Sequence, residues 1–440
     1  MKTRFCVLGC IFLLGACGGG KADDLQELLD GLDLVYDVDR VAQVEFTTPD
    51  GFMSMVGSYV ATGAPAYVNA GFRFDDETLA STGFRLRVPT VAGNGDTERK
   101  YSLRVNFNYY GGPRFHGIDR IHFANNKNDP SLMREILFSR VLDRMQVPAS
   151  RASYAWVKAD GQVLGLYTMV EMIDERFVRA IWENQPEAGG GNLYKCEPKS
   201  EADTGCSLTW AGDRRTDYLD TTCLEEDGCG LVLKSNEDDP TLNNYSDLID
   251  FLDFLNNSTD LEFAAGIEER FDVDAFLRYL AVAVALGDVT GYLGGIDNFY
   301  LYHRPDTGKF VFIPWDHNKS MGLTPCPTGA HTTGSSPDDP ECTDAQRPLV
   351  ERILAVGLYR SAYRGYLEDV LTLMPHQMFV WVNNDLNSLI YELVSLDPNY
   401  EYTDAQYQEA ISTNEAAQDF NLLQYVLERR AYLSAMLEDF

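Results

Sequence analysis

Apolar and polar residues alternate along residues 41–48, again along 83–88 (Phe84, Leu86, Val88), and again along 101–109 (Leu103, Val105, Phe107). A period of two sends successive side chains to opposite faces, so each run predicts a half-buried β-strand. Val91-Ala92-Gly93-Asn94-Gly95-Asp96 separates the last two runs and predicts a glycine-rich turn. The period then lengthens. Asp129-Pro130-Ser131 offers an N-cap with proline behind it, and Leu132, Met133, Ile136, Leu137, Val141, Leu142 and Met145 recur at helical spacing, predicting one helix of about four turns that Pro148 ends. Residues 152–158 and 165–171 flank Asp160-Gly161 as a hairpin.

Beyond this point the pattern changes character. Residues 185–245 are rich in Gly, Asp and Asn and predict loops, whereas 245–287 and 346–440 carry helical periodicity. The second half thus reads as a helical frame interrupted by one β-rich insert at 298–315. There Asn298-Phe299-Tyr300-Leu301-Tyr302-His303 and Phe310-Val311-Phe312-Ile313-Pro314-Trp315-Asp316 are joined by Pro305-Asp306-Thr307-Gly308. A hairpin brings Asn298 and Asp316 to one end, and two hard oxygen donors side by side suit Mg²⁺, which keeps waters and phosphates as its other ligands. Asp288 follows the apolar run 276–286 and adds a carboxylate close by, with Asp297 as the alternative. Phosphoryl transfer needs these groups: a carboxylate to accept the hydroxyl proton, and an amide and a carboxylate for metal.

Composition narrows the possibilities. The chain has 440 residues, 45% of them hydrophobic, and a net charge of -31. It can build a sizeable core, while nucleic acid and anionic membrane surfaces are repelled unless cations or a metal gather locally. The six histidines show no H-E-x-x-H spacing, and no G-x-S-x-G elbow is present, which argues against a zinc hydrolase or a serine hydrolase. Acidic clusters such as 236–239 and 243–247 lack EF-hand order and read first as turns and caps, leaving a Ca²⁺-binding surface protein as a minor alternative.

Residues 1–17 have a basic start (Lys2, Arg4), an apolar stretch too short to span a bilayer and a Leu14-Gly15-Ala16-Cys17 junction. This resembles the lipobox of bacterial lipoproteins and implies export with Cys17 acylated; the acidic, leucine-bearing residues 18–40 that follow read as a tether with a short helix. Cleavage removes two positive charges and leaves Cys196, Cys206, Cys223, Cys229, Cys326 and Cys342. An even number in an exported chain predicts disulfides, most simply 196–206, 223–229 and 326–342.

The insert resembles the CotH kinase family, whose members carry an NfYLY…G…fiPWD segment. Asp129-Pro130-Ser131-Leu132-Met133-Arg134-Glu135, Val147-Pro148-Ala149, Gly161…Gly165-Leu166-Tyr167…Glu171…Asp174…Phe177 and Asn192-Leu193-Tyr194-Lys195 match further family motifs in order, covering roughly residues 80–320. The resemblance implies an α+β, protein kinase-like domain of two lobes: a β-rich lobe over 41–175 and a helical one over 176–440. It implies transfer of the ATP γ-phosphoryl group to Ser or Thr of a protein, with Mg²⁺ or Mn²⁺ on Asn298 and Asp316 and with Asp288 as base. Lys100 would meet the ATP phosphates, Glu135 would orient Lys100 by an ion pair, and Gly93 and Gly95 would admit phosphate. Each has a plainer alternative: Asp288 as a helix end, Lys100 as a solvated strand lysine, Glu135 as a first-turn acid. Glu171 and Asp174 could line the nucleotide cleft, or Asp174 could cap the next helix. The expected partners are a substrate protein and the membrane reached through Cys17. The alternative function is a noncatalytic envelope lipoprotein that binds or assembles.

Overall fold

A computed structural model describes residues 19–87, 100–197, 206–223, 228–294, 298–323, 336, 346–413 and 421–438. The alternating runs fall in strands β1 (Val41–Thr47), β3 (Glu77–Arg87) and β4 (Ser102–Asn106) and the expected hairpin is β6 (Ala152–Ala159) with β7 (Gln162–Glu171), while β2 (Val68–Phe74) and β5 (Arg120–Ala124) arise in segments for which the pattern predicts no strand. They close into a barrel of order β1-β2-β3-β4-β5-β7-β6, with β1 parallel to β6. One face of each strand fills the interior with Phe46, Phe72, Phe84, Leu103, Val105, Ile121 and Phe123, all buried. Phe46 stacks on Phe84 with ring centres 3.9 Å apart. The β6–β7 hairpin turns at Asp160-Gly161 as predicted, both with positive φ. The Asp160 carboxylate accepts from Thr48 N and Thr48 Oγ1, each at 2.7 Å, tying the turn to the end of β1.

Helices α1 (Gly19–Val35), α2 (Phe52–Thr62), α3 (Arg134–Arg144) and α4 (Glu175–Ile181) pack around the barrel or beside it. The segment expected as a tether with a short helix is largely α1, longer than expected and docked: its Leu28, Leu32 and Val35 are buried in the core cluster of the barrel, and Asp24 pairs with Arg176 and Arg179. Helix α3 begins later than the capping motif suggests. Leu132 takes a positive φ, which a right-handed helix excludes, so the helix starts at Arg134. Asp129 caps the loop instead, accepting from Ser131 N at 3.0 Å and Arg134 N at 3.1 Å.

The predicted loop region contributes strands. β8 (Leu193–Glu197), β9 (Leu219–Asp220) and β10 (Cys229–Leu233) join the hairpin β11 (Phe299–His303) and β12 (Phe310–Pro314) in a sheet ordered β12-β11-β8-β10-β9. Disulfides Cys196–Cys206 and Cys223–Cys229 fasten this sheet; Cys326 and Cys342 lie outside the described residues, as does Cys17. The helices that follow the barrel are α5 (Ser246–Asn257), α6 (Asp260–Gly266), α7 (Val273–Leu286), α8 (Pro348–Ala355), α9 (Gly357–Leu373), α10 (His376–Val380), α11 (Asn387–Leu396), α12 (Asp404–Ala410) and α13 (Leu422–Glu438). Helix α7 is apolar on nearly every side, which requires it to be central, and it packs against α3, α9, α13 and β12. Its C-terminus and the end of β12 are thereby brought together. Among the described residues no helix is long and apolar enough to cross a membrane.

Candidate active site

Register pairs Phe299 with Pro314, so Asn298 and Trp315 face each other just beyond the hairpin, and Trp315 N donates to Asn298 O at 3.0 Å. Asn298 and Asp316 therefore stand at one end of the hairpin, as predicted. Both have positive φ, 65° and 59°. That conformation is tolerated best by Asn and Asp among side-chain-bearing residues, and strain of this kind collects at functional sites. The Asn298 amide donates to Thr290 O at 3.3 Å, which leaves its oxygen as the donor atom for a ligand.

Asp288 arrives from the other side. Gly287 ends α7 at φ 62°, and Asp288 N bonds back to Ala283 O at 2.9 Å, which turns the carboxylate into the interior at 1% exposure. There Asp288 Oδ2 accepts from Nδ1 of His317 at 2.8 Å. His317 is buried and stacked on Phe138, ring centres 4.0 Å apart, and its backbone N–H donates to Glu135 Oε2 at 2.7 Å. Three segments thus converge: α3 supplies Glu135, the turn that leaves α7 supplies Asp288, and the β12 exit supplies Asp316 and His317. Asp288 Oδ1 and His317 Nε2 are buried with no hydrogen-bond partner among the described residues.

The charges here are strongly coupled. Burial pushes the His317 pKa down, but Asp288, Glu135 and Asp316 together outweigh it and the pKa is raised. Burial, opposed by His317 and aided by Asp316, pushes Glu135 up to about 7. Asp316 is raised as well, chiefly by burial. Among the described residues no three His, Cys, Asp or Glu side chains form a metal cluster. An ion at the hairpin end would rest on the oxygens of Asn298 and Asp316 and on substrate oxygens, a donor set that fits Mg²⁺ or Mn²⁺ bound with phosphate.

Lys100 stands elsewhere, and its expected pairing with Glu135 is corrected. Its buried ammonium bonds Asp397 Oδ2 at 2.8 Å and the Leu166 carbonyl, and lies 4.6 Å from the centre of the Tyr167 ring. Helix α11 packs on β7 and delivers Asp397, which also accepts from Leu166 N at 2.9 Å. Gly165, at φ 112°, makes room: a Cβ there would lie 2.1 Å from Asp397 Oδ1. Among the described residues, Lys100 and Glu135 form no ion pair with each other. Glu171 is taken up by Arg151, and Asp174 caps α4 through Arg176 N and Phe177 N. Gly93, Gly95 and Asp297 lie outside the described residues. His317 is the group the sequence left without a role; its place after Asp316 was the signal, and the contact with Asp288 needed the fold.

Residues 90–433 match the family described as CotH kinase protein. Inner spore coat protein H of Bacillus subtilis (strain 168) is 28% identical over 273 residues, covering 62% of this chain and 67% of the relative. Invasin CotH3 of Rhizopus delemar is 24% identical over 202 residues, which are 45% of this chain and 31% of the invasin. Invasin CotH2 of the same organism is 23% identical over 211 residues, again covering only 33% of the relative. With the match spanning well over half of its length, the chain belongs to the CotH kinase protein family.

Proposed function

We propose that the chain is a protein kinase that transfers the γ-phosphoryl group of ATP to a Ser or Thr hydroxyl of an envelope or coat protein. The observation that carries this reading is the convergence of Asp288, Asn298 and Asp316 at one end of the β11–β12 hairpin, with His317 bonded to Asp288. In the kinase-like description the barrel serves as the β-rich lobe, and the second sheet with its helices serves as the other. Asn298 and Asp316 would hold Mg²⁺ or Mn²⁺, which when bound neutralises charge on the transferring phosphate. Asp288 would accept the hydroxyl proton on Oδ1 while His317 fixes Oδ2. Glu135 would hold the His317 backbone in place. Such catalysis is positioning plus electrostatics, and the buried setting strengthens both.

Export with a lipid on Cys17 is part of the same proposal. The two disulfides are consistent with an oxidising compartment. The test of the function is incubation of the purified chain with γ-labelled ATP, Mg²⁺ or Mn²⁺, and an acceptor protein rich in Ser and Thr. Label is expected with the native chain and is expected to disappear in Asp288→Asn. Equal labelling by both, or none by the native chain, rejects the reading.

A further inference from the structure

The outer face of the barrel carries a row of basic side chains. Register sets Arg85 on β3 opposite Arg104 on β4, and Arg104 opposite His122 on β5. Arg85 and Arg104, like charges directly opposite each other on neighbouring strands, repel and cost stability in the absence of an anion, while burial and the neighbouring cations hold the His122 pKa well below its ordinary value. The alternation that buries Leu86, Leu103, Val105, Ile121 and Phe123 in the barrel forces their neighbours to the same outer face. Arg87 lies two residues beyond Arg85 on that face.

The row faces the second sheet. The His122 ring lies 6.2 Å from that of Trp315, the residue before Asp316. Lys195 of β8 stands beside Tyr300 of β11, its ammonium 5.8 Å from the ring centre, and its charge reaches His122. Carboxylates answer part of this charge: Glu197 pairs with Lys195 at 2.6 Å, and Asp174 with Arg120 at 3.2 Å. Arg104 forms no ion pair among the described residues, and its Nε, like Nδ1 of His122, is buried without a hydrogen-bond partner among them. Burial and the charges of Arg87 and Arg85 pull Arg104 down to about 10. Burial, with Arg87 adding to it and Glu197 opposing, brings Lys195 to about 8. The contact of His122 with Trp315 sets this end of the row one residue from Asp316 in the chain.

We propose that Arg104, with Arg85, Arg87, His122 and Lys195, forms a binding site for a condensed phosphate chain, and that this site rather than Lys100 receives the triphosphate of the nucleotide. The proposal rests on the phosphoryl-transfer reading. Guanidinium groups bind phosphate oxygens through paired, charge-assisted hydrogen bonds. In a chain of net charge -31, this concentrated positive charge is where a polyanion meets the least repulsion.

The experiment titrates the purified chain without divalent metal against ATP, adenosine and inorganic tripolyphosphate, by calorimetry, for the native protein, Arg104→Met and Arg104→Lys. Binding of both ATP and tripolyphosphate is expected, with Arg104→Met weakening each at least about tenfold, as loss of a charge-assisted contact does. Arg104→Lys should recover part of this. The ligand-free melting temperature of Arg104→Met should be unchanged or higher, because a repulsive partner is gone; binding lost alongside a lowered melting temperature would mean a folding defect and would overturn the assignment unless His122→Gln weakens binding without such a drop. ATP binding more tightly than tripolyphosphate identifies a nucleotide, and equal binding a free polyphosphate; either supports the site. Unaltered binding in Arg104→Met overturns it, and so does binding of neither ligand by the native chain. If native and Arg104→Met chains bind alike while the native chain transfers phosphate, the site is wrong and the kinase reading stands. If Arg104→Met loses binding and the native chain transfers nothing, the site stands and the kinase reading fails.

Discussion

The pairing of Lys100 with Asp397 makes a quantitative prediction about what that lysine does. The two side chains are 6% and 0% exposed and 2.8 Å apart, and they join the barrel to the turn after α11. Replacing Asp397 by Leu leaves the ammonium buried without its counter-charge. Losing one partner of a buried pair costs about 3–5 kcal/mol. The cost has a ceiling, since an unpaired lysine can give up its proton: at pH 7, against an ordinary value of about 10.4, that escape costs about 5 kcal/mol. Lys100→Met leaves the buried Asp397 carboxylate without a counter-charge, held only by the backbone N–H groups of Leu166 and Asn399, and should cost a similar amount. The double variant Lys100→Met/Asp397→Leu removes both desolvated charges and should return to within about 1 kcal/mol of the native chain, so the cycle shows a large coupling. Urea unfolding followed by tryptophan fluorescence measures it, with unchanged m-values confirming a common transition. The reasoning is refuted if Lys100→Met is as stable as the native chain or if the two single costs simply add. A stable Lys100→Met that no longer binds ATP would return the lysine to the phosphates.

Glu135 predicts a pH effect. Its folded value near 7 is raised above the ordinary 4.5, so the stability that its protonation contributes is fully present below about pH 4.5 and is lost as pH rises through 7. Glu135→Gln, neutral throughout, should match the native chain at acid pH and exceed it by up to about 3 kcal/mol at pH 9, as read from unfolding midpoints; a constant difference across pH contradicts the assignment. Asp160→Ala removes the acceptor of Thr48 N and Thr48 Oγ1 and places alanine at φ 50°. It should cost about 2–4 kcal/mol in denaturant unfolding, and a loss below about 1 kcal/mol would contradict the turn's role. Replacing both Cys196 and Cys206 by Ser opens a loop of sequence separation 10 and should lower stability by about 3 kcal/mol under non-reducing conditions, a difference that vanishes when both proteins are reduced.

The hairpin at 298–316 was legible because alternation, a Pro-Asp-Thr-Gly turn and terminal Asn and Asp all agree on one local structure. Strands β1, β3, β4, β6 and β7 of the barrel were legible in whole or part from the same alternation and turn signals, as where Leu103, Val105 and Phe107 face in, whereas β2 and β5 were not. Their outward residues carried no such signal: Arg85, Arg104 and His122 form a row only through inter-strand register, which no local pattern contains. β8 and β10 were hidden in a segment whose Gly, Asp and Asn content suggests loops, because such short strands depend on the neighbours they pair with. Lys100 and Asp397 lie 297 positions apart, so nothing in either neighbourhood points to the other. The leucines of the segment before β1 were visible, but their burial depends on a barrel that forms later in the chain. Asp288 and His317 belong to elements that meet only once α7 is packed.

The central claim is that the hairpin end holds a metal–nucleotide complex, and calorimetric titration of ATP into the native chain and Asp316→Asn, each with and without Mg²⁺, tests it most directly. The account predicts that Mg²⁺ tightens ATP binding by at least about tenfold in the native chain and has little effect in Asp316→Asn. Equal dependence on Mg²⁺ in both proteins, or none in the native chain, would contradict it.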